Sequence, residues 1–155
     1  MKILIVRAVM LLSIAFLFYS CNQVTEKPVG LNPVNKSYYD QHNGYSEAVV
    51  ITSASHKTVY ISGQIGDGQD LETQMRSAIE KLKALLNKMG GSTSDIVKMN
   101  TYIVGYDEVQ LESFRKVRKE LLGDEKMPAS TLVGVQSLAK KDWLIEIDAV
   151  AVIPL

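Results

Sequence analysis

The sequence predicts an α+β domain in which two amphipathic helices cover one face of a single β-sheet. Two observations predict this class. Apolar residues recur at helical spacing in two segments, and runs of β-branched and aromatic residues flank those segments in the order ββαβαββ. The chain has 155 residues, of which 46% are hydrophobic and 22% charged. These values are typical of one globular domain and exclude a disordered or collagen-like chain.

The first elements are a hairpin and a long helix. Segments 45–53 and 58–62 are rich in Val, Ile, Thr and Tyr, and a short turn at 55–57 separates them. From Leu71 to Met89, apolar residues recur every three or four positions, which predicts a helix of about five turns. Asp70 directly precedes this helix and is its predicted N-cap.

The second half of the domain contains a strand, a helix and two closing strands. Residues 96–104 have the composition of a strand, and residues 108–122 carry an apolar stripe typical of a helix. Gly123 follows as the predicted helix stop. Residues 131–135 and 144–152 complete the predicted sheet.

The last strand has two unlike faces. Between residues 145 and 151, Ile and Ala alternate with polar or bulkier positions, so that one face is wholly apolar. The other face carries Glu146, Asp148, Val150 and Val152. Because a half-apolar face is seldom left to water, we expect another subunit to cover it and to bring the acids toward a cleft.

The N-terminus predicts an export signal. Lys2 and Arg7 precede an apolar run at residues 8–19, which is too short to span a bilayer. The run ends at Ser20 and Cys21, which resembles a bacterial lipobox whose cysteine becomes lipidated; ordinary secretion or a simple N-terminal anchor is the alternative. We therefore expect an exported protein, periplasmic or on the cell surface, that touches the membrane only through this anchor.

The chain divides into three predicted parts. Residues 1–20 are the signal peptide, residues 21–43 a tether and lead-in without lasting periodicity, and residues 44–155 the globular domain. Removing the signal leaves 15 basic and 17 acidic residues. A net charge of −2 provides no excess of positive charge to attract nucleic acid, so we expect no nucleic acid as a partner.

The cysteine and histidine content excludes two kinds of site. Cys21 is the one cysteine of the chain, so no intrachain disulfide forms. His42 and His56 are the two histidines, and together with Cys21 they are too few for a zinc cage. We therefore predict no metal site.

Five short motifs occur in order through residues 44–155. They are Gly44-Tyr45-Ser46, the ISGQI of 61–65, the DIVK of 95–98, Pro128-Ala129 and the IEIDAVA of 145–151. With these motifs the domain resembles the RidA/YjgF family of trimeric proteins with a chorismate-mutase-like α+β fold. The resemblance implies a homotrimer with a small-molecule cleft at each of its three subunit boundaries.

The resemblance also implies chemistry and site residues. Characterised members hydrolyse reactive enamines and imines without a metal or organic cofactor, and their clefts hold a small carboxylate-bearing ligand. A glutamate of the final strand orients water or the substrate nitrogen, which makes Glu146 the candidate catalytic residue. Tyr45, Ser62 and Gly63 match positions that line the pocket and are candidate substrate-binding residues.

One expected residue is missing. In such members an arginine directly after the Pro-Ala pair clamps the substrate carboxylate with two parallel hydrogen bonds, but here Ser130 follows Pro128-Ala129. Ser130 either donates one hydrogen bond to the ligand or is an inert strand residue. Asn100, which is polar in an apolar strand, either satisfies backbone groups or lines the cleft.

Three function classes remain. The first is a cofactor-free hydrolase of small imines that works without the arginine, and the second is a non-catalytic binding protein for a small metabolite. The third is a ribonuclease, which the net charge disfavours. The export signal separates the protein from imines made in the cytoplasm and favours a different ligand.

Overall fold

The computed structural model describes residues 34–155, which form one six-stranded sheet with two helices. The predicted α+β class is confirmed. The predicted signal peptide and Cys21 lie outside the described residues. In chain order the elements are β1 (Asn35–Gln41), β2 (Ser46–Thr52), β3 (His56–Ile65), α1 (Leu71–Lys88), β4 (Ile96–Val104), α2 (Glu108–Leu122), β5 (Ala129–Val135) and β6 (Ile145–Pro154).

The last strand of the chain lies in the middle of the sheet. The strand order is β1-β2-β3-β6-β4-β5. All neighbouring strands are antiparallel except β4 and β5, which are parallel and are joined through α2. Because β6 pairs with both β3 and β4, it joins the N-terminal hairpin to the C-terminal half of the domain.

The sheet begins earlier than the sequence predicts. The sequence predicts a lead-in without secondary structure up to residue 43. For residues 35–41 this prediction is wrong, because they form a strand that pairs antiparallel with β2. The side chains of β1 are exposed except for Tyr39, which packs against the core. Backbone hydrogen bonds therefore hold this edge strand, and its sequence carries no apolar alternation that would reveal it.

Both helices begin and end where the sequence predicts, to within a residue. The Asp70 carboxylate accepts a hydrogen bond from the backbone N–H of Thr73 at 2.8 Å, which confirms it as the N-cap of α1. The helix α2 ends at Gly123, whose φ of 79° belongs to the left-handed region that favours glycine. The side chains of α1 that are buried are those of Gln74, Met75, Ala78, Ile79, Leu82, Leu85 and Leu86.

One buried amide fixes α1 to the segments around it. Gln74 is 3% exposed, and its Nε2 donates to the carbonyl oxygens of Gly68 at 3.0 Å and Asp142 at 2.8 Å. Its Oε1 accepts from the backbone N–H of Leu144 at 2.8 Å. Gly66 approaches so closely that a Cβ at this position would overlap the carbonyl oxygen of Gln74. The loop before α1 and the entry to β6 are therefore held by the same residue.

No helix within residues 34–155 is long and apolar enough to cross a membrane.

Replacing Gln74 tests this anchor. Gln74→Leu removes the three hydrogen bonds that the buried amide makes to Gly68, Asp142 and Leu144, so we expect a loss of about 2–4 kcal/mol in the free energy of unfolding. Urea denaturation measures the loss. The exposed Gln69→Leu serves as control and should change the value by less than about 0.5 kcal/mol. Equal effects of the two variants would show that the amide is not an anchor.

Candidate functional site

Two carboxylates lie on the face of the sheet that the helices do not cover. As the sequence predicts, β6 buries alternate side chains, and Glu146 and Asp148 lie on its opposite, partly exposed face. On the neighbouring strand, Tyr102 pairs with Glu146 and Asn100 pairs with Asp148. Directly paired residues of antiparallel strands point to the same face, so these four side chains lie side by side. We call this side of the sheet the uncovered face.

A bulge in β3 brings Gly63 to Glu146. The pairing of β3 with β6 shifts register between Ile61 and Gln64, as in a β-bulge. A Cβ on Gly63 would overlap the carboxylate of Glu146, so no larger residue fits while Glu146 keeps this position. The structure therefore brings together two of the predicted site residues, the candidate acid and the glycine beneath it.

The surroundings of Glu146 favour its protonated form. Partial burial raises the pKa of the Glu146 carboxyl above its usual value, and the negative charge of Asp148 raises it further. Asp148 is itself fixed by Asn100, whose Nδ2 donates to Asp148 Oδ1 at 2.8 Å. Burial and then the charge of Asp148 also raise the pKa of the Tyr102 hydroxyl. A carboxyl with a raised pKa can take up and release a proton closer to neutral pH.

Tyr45 and Ser62, two further predicted residues, have other partners. The Ser62 hydroxyl donates to the backbone carbonyl of Ser46 at 2.6 Å. Tyr45 is 54% exposed, stacks on His42 with 4.9 Å between ring centroids and donates weakly to Glu47 at 3.4 Å. Among residues 34–155, neither hydroxyl bonds to Glu146. Both are placed near the ends of β2 and β3 rather than in contact with the carboxylate pair.

The sequence did not reveal a second polar cluster beside Tyr45. Glu47 accepts a hydrogen bond from Gln64 Nε2 at 2.9 Å and lies 3.0 Å from His42 Nε2. These side chains and the α1 residues Lys81 and Lys88 line a groove of about 530 Å³. In the sequence, this cluster could have been inferred from Gln64, a polar residue that directly follows Gly63 and that is buried in the structure.

Ser130 lies far from Glu146 within one chain. It is exposed on the edge strand β5 and pairs with Met99, whereas Glu146 pairs with Tyr102 on the other side of β4. Three residues along a strand and two strand spacings correspond to a separation of about 14 Å. A single chain therefore does not bring Ser130 to the carboxylate.

Metal ligands are not concentrated in the described part of the chain. Across residues 34–155, no three His, Asp or Glu side chains form a group that could hold a metal ion. The carboxylate pair of the uncovered face has an amide and a phenol as neighbours instead. The chemistry that this arrangement supports is proton transfer by a carboxyl group.

Known proteins share this fold, with about a quarter to a third of the residues identical over the aligned segments. Solved structures with a similar fold include a YjgF/YER057c/UK114 family member from Mycobacterium tuberculosis, with a TM-score of 0.67 and 25% identity over 77% of this chain and all of that chain. RidA from the Antarctic bacterium Psychrobacter sp. PAMC 21119 matches with a TM-score of 0.64 and 28% identity over 79% of this chain and 99% of that one.

The sequence matches agree with the structural ones. A 2-iminobutanoate/2-iminopropanoate deaminase of Dermatophagoides farinae is 31% identical over 70% of this chain and 85% of its own length. The RutC family protein YjgH of Escherichia coli strain K12 is 32% identical over 76% of this chain and 88% of its own length. The family model described as endoribonuclease L-PSP matches residues 36–153, which include the strand β1 that the sequence did not reveal. The chain therefore belongs to the endoribonuclease L-PSP family, which includes the RidA and YjgF proteins.

Proposed function

We propose that this protein is a homotrimer whose subunit boundaries hold a small carboxylate-bearing molecule, and that it hydrolyses the imine or enamine of that molecule slowly. The observation that carries the proposal is Glu146, a partly buried carboxyl with a raised pKa on the uncovered face of the sheet. A relative of 31% identity that is named a 2-iminobutanoate/2-iminopropanoate deaminase supports the same reaction class.

Glu146 supplies the acid–base chemistry in this proposal. Hydrolysis of an imine adds water to the carbon of the C=N bond, and the carbinolamine then breaks its C–N bond to give a carbonyl compound and ammonia. The Glu146 carboxylate accepts one proton from the attacking water and passes it to the imine nitrogen. It then transfers the hydroxyl proton of the carbinolamine to the departing nitrogen, so both protons of the water leave with the ammonia. Its raised pKa makes it a stronger base than an exposed glutamate, which favours the first transfer near neutral pH. Partial burial and then the charge of Asp148 raise this pKa, and the hydrogen bond from Asn100 holds the Asp148 carboxylate in place.

The trimer in this proposal buries the apolar part of the uncovered face. Tyr60 pairs in register with Val150 and with Val49, and Tyr60 is 47% exposed in one chain. Val133, at 41%, continues the same face at the far edge strand. These exposed apolar side chains lie on either side of the carboxylates, and a second copy that covers them brings its own edge strand toward Glu146.

The missing arginine makes the proposed activity weak. Ser130 offers one neutral hydrogen bond where relatives offer a bidentate, charged clamp. The lost interaction is on the order of 1.5–3 kcal/mol, which corresponds to about 10- to 100-fold in transition-state stabilisation.

A non-catalytic binding protein is the second candidate. Ser130 in place of the clamp favours it, because a cleft that holds a different ligand has no need of the arginine. The proposed export of the protein, through residues 1–20 and lipidation of Cys21, favours it also, because imines made in the cytoplasm would not reach the cleft. The third class, a ribonuclease, has little support, because 17 basic and 17 acidic residues give no net positive charge to attract RNA.

Restoring the arginine tests the enzymatic proposal. We expect Ser130→Arg to raise the turnover of freshly generated 2-iminobutanoate about 10- to 100-fold over wild type, because it adds the bidentate contact. Adding Glu146→Ala should abolish the gain. Ser137→Arg, which adds the same charge at an exposed loop position, is the control and should leave turnover unchanged. If Ser130→Arg gains nothing while the assembly stays intact, the cleft serves another ligand and the binding-protein candidate replaces the enzyme.

Light scattering tests the assembly. At micromolar concentration the purified protein should have three times the mass of one of its own chains, which is 17.2 kDa for the unprocessed 155-residue chain. Val150→Asp places a charge on the uncovered face and should yield folded monomers, whereas Val109→Asp, at a 75% exposed position of α2, should remain trimeric. A monomeric wild type would contradict the proposal.

A titration tests the electrostatics of Glu146. The carboxyl carbon of Glu146, followed by NMR, should titrate with a midpoint above 4.5, and Asp148→Asn should lower that midpoint by removing the neighbouring charge. Because the pKa of the Glu146 carboxyl is raised in the folded state, its favourable contribution to the free energy of unfolding is fully present below the unfolded-state pKa. This contribution is lost as the pH rises through the folded-state pKa. Glu146→Gln should therefore raise the free energy of unfolding at pH 7 relative to wild type. A midpoint at or below 4.5 would show that Glu146 is an ordinary solvated acid.

A further inference from the structure

Arg118 of α2 carries a charge that no carboxylate within residues 34–155 pairs with. Among residues 34–155, Arg76 pairs with Glu72 at 2.8 Å and Arg115 with Glu112 at 2.8 Å, whereas Arg118 forms no ion pair. The Nε of Arg118 is buried and has no hydrogen-bond partner in the described part of the chain. A buried donor on a charged group without an acceptor is rare in folded proteins, and here it belongs to a guanidinium that has no carboxylate partner among the described residues.

The environment of the guanidinium is partly apolar. The Arg118 guanidinium carbon lies 5.9 Å from the centroid of the Phe114 ring, in a position for a cation–π contact. Phe114 is itself buried in the core. Partial burial lowers the pKa of Arg118, because it disfavours the charged form of the guanidinium. An anion next to Arg118 would reverse this penalty.

A cavity of about 190 Å³ opens beside Arg118. At roughly 30 Å³ for each water molecule, this space holds several waters or one small anion. Two of its three cations have carboxylate partners, because Lys119 lies 2.7 Å from Asp124 and Arg115 is paired with Glu112. The lining residues are Arg115, Arg118, Lys119, Gly123, Asp124 and Met127.

We propose that this cavity is a binding site for a small oxyanion, a phosphate or a carboxylate, with Arg118 as its principal ligand. Because Nε is buried, the terminal nitrogens of the planar guanidinium supply the fork that matches two oxygens of such an anion. Lys119 and Arg115 add positive potential at the rim of the cavity, although each already has one acidic partner.

The site is separate from the carboxylates of the uncovered face within one chain. Met127 lies just before β5, whose first residue Ala129 pairs with Lys98 near the start of β4. Glu146 pairs with Tyr102 near the other end of β4. The proposal therefore does not depend on the proposed hydrolysis.

Calorimetric titration of the full-length chain with sodium phosphate, and separately with sodium acetate, tests the site and distinguishes the two anions. We expect saturable binding of at least one anion below about 10 mM, weakened about tenfold or more by Arg118→Gln. Lys116→Gln removes the same charge from the same helix outside the cavity, and it should change the affinity less than about threefold.

Arg118→Lys separates charge from geometry. It keeps the positive charge but lacks the fork, so it should bind more weakly than wild type and more tightly than Arg118→Gln. In wild type, the NMR signal of the Arg118 Nε–H should shift during the titration, and this readout does not require any variant to fold. The proposal is wrong if neither anion moves that signal, or if Arg118→Gln and Lys116→Gln bind equally well while circular dichroism shows both folded.

Discussion

The strand β6 imposes the constraint on which the rest of the structure depends. It lies between β3 and β4, and its side chains alternate strictly between the helix-covered face and the uncovered one. Ile147 and Ala149 are buried in the core, while Glu146 and Asp148 share the opposite face. The strand that closes the hydrophobic core therefore also presents the carboxylates, because side chains in a strand must point to opposite faces in turn. The register of β6 therefore determines both which of its side chains pack in the core and where its two carboxylates lie.

That register has an electrostatic consequence. Partial burial disfavours the charged form of Glu146 and so raises its pKa, and the negative charge of Asp148, two residues away on the same face, raises it further. The fold tolerates this arrangement by giving Asp148 a hydrogen bond from Asn100 and by leaving room for Glu146 above a glycine. A carboxyl that is costly to ionise is less favourable for stability but better suited to proton transfer, which is the compromise expected at a functional site.

The sequence was sufficient for the features that depend on local pattern. Periodicity and caps located both helices, and the alternation of β6 predicted its two faces. Strand β1 was missed because exposed side chains and backbone pairing leave no apolar pattern. The separation of Ser130 from Glu146, and the buried Nε of Arg118, depend on strand order and on tertiary packing. Such long-range relations have no signal in the spacing of residues along the chain.

In the proposed trimer, a neighbouring copy completes the site around Glu146. A crystal structure of the full-length chain with 2-oxobutanoate, the carbonyl product of 2-iminobutanoate hydrolysis, tests this arrangement most directly. We expect a trimer in which the ligand's carbonyl oxygen lies about 3 Å from the Glu146 carboxyl, while its carboxylate faces Ser130 of an adjacent copy. A ligand bound elsewhere, or an assembly that leaves the uncovered face in solvent, would show that no neighbouring copy completes the site.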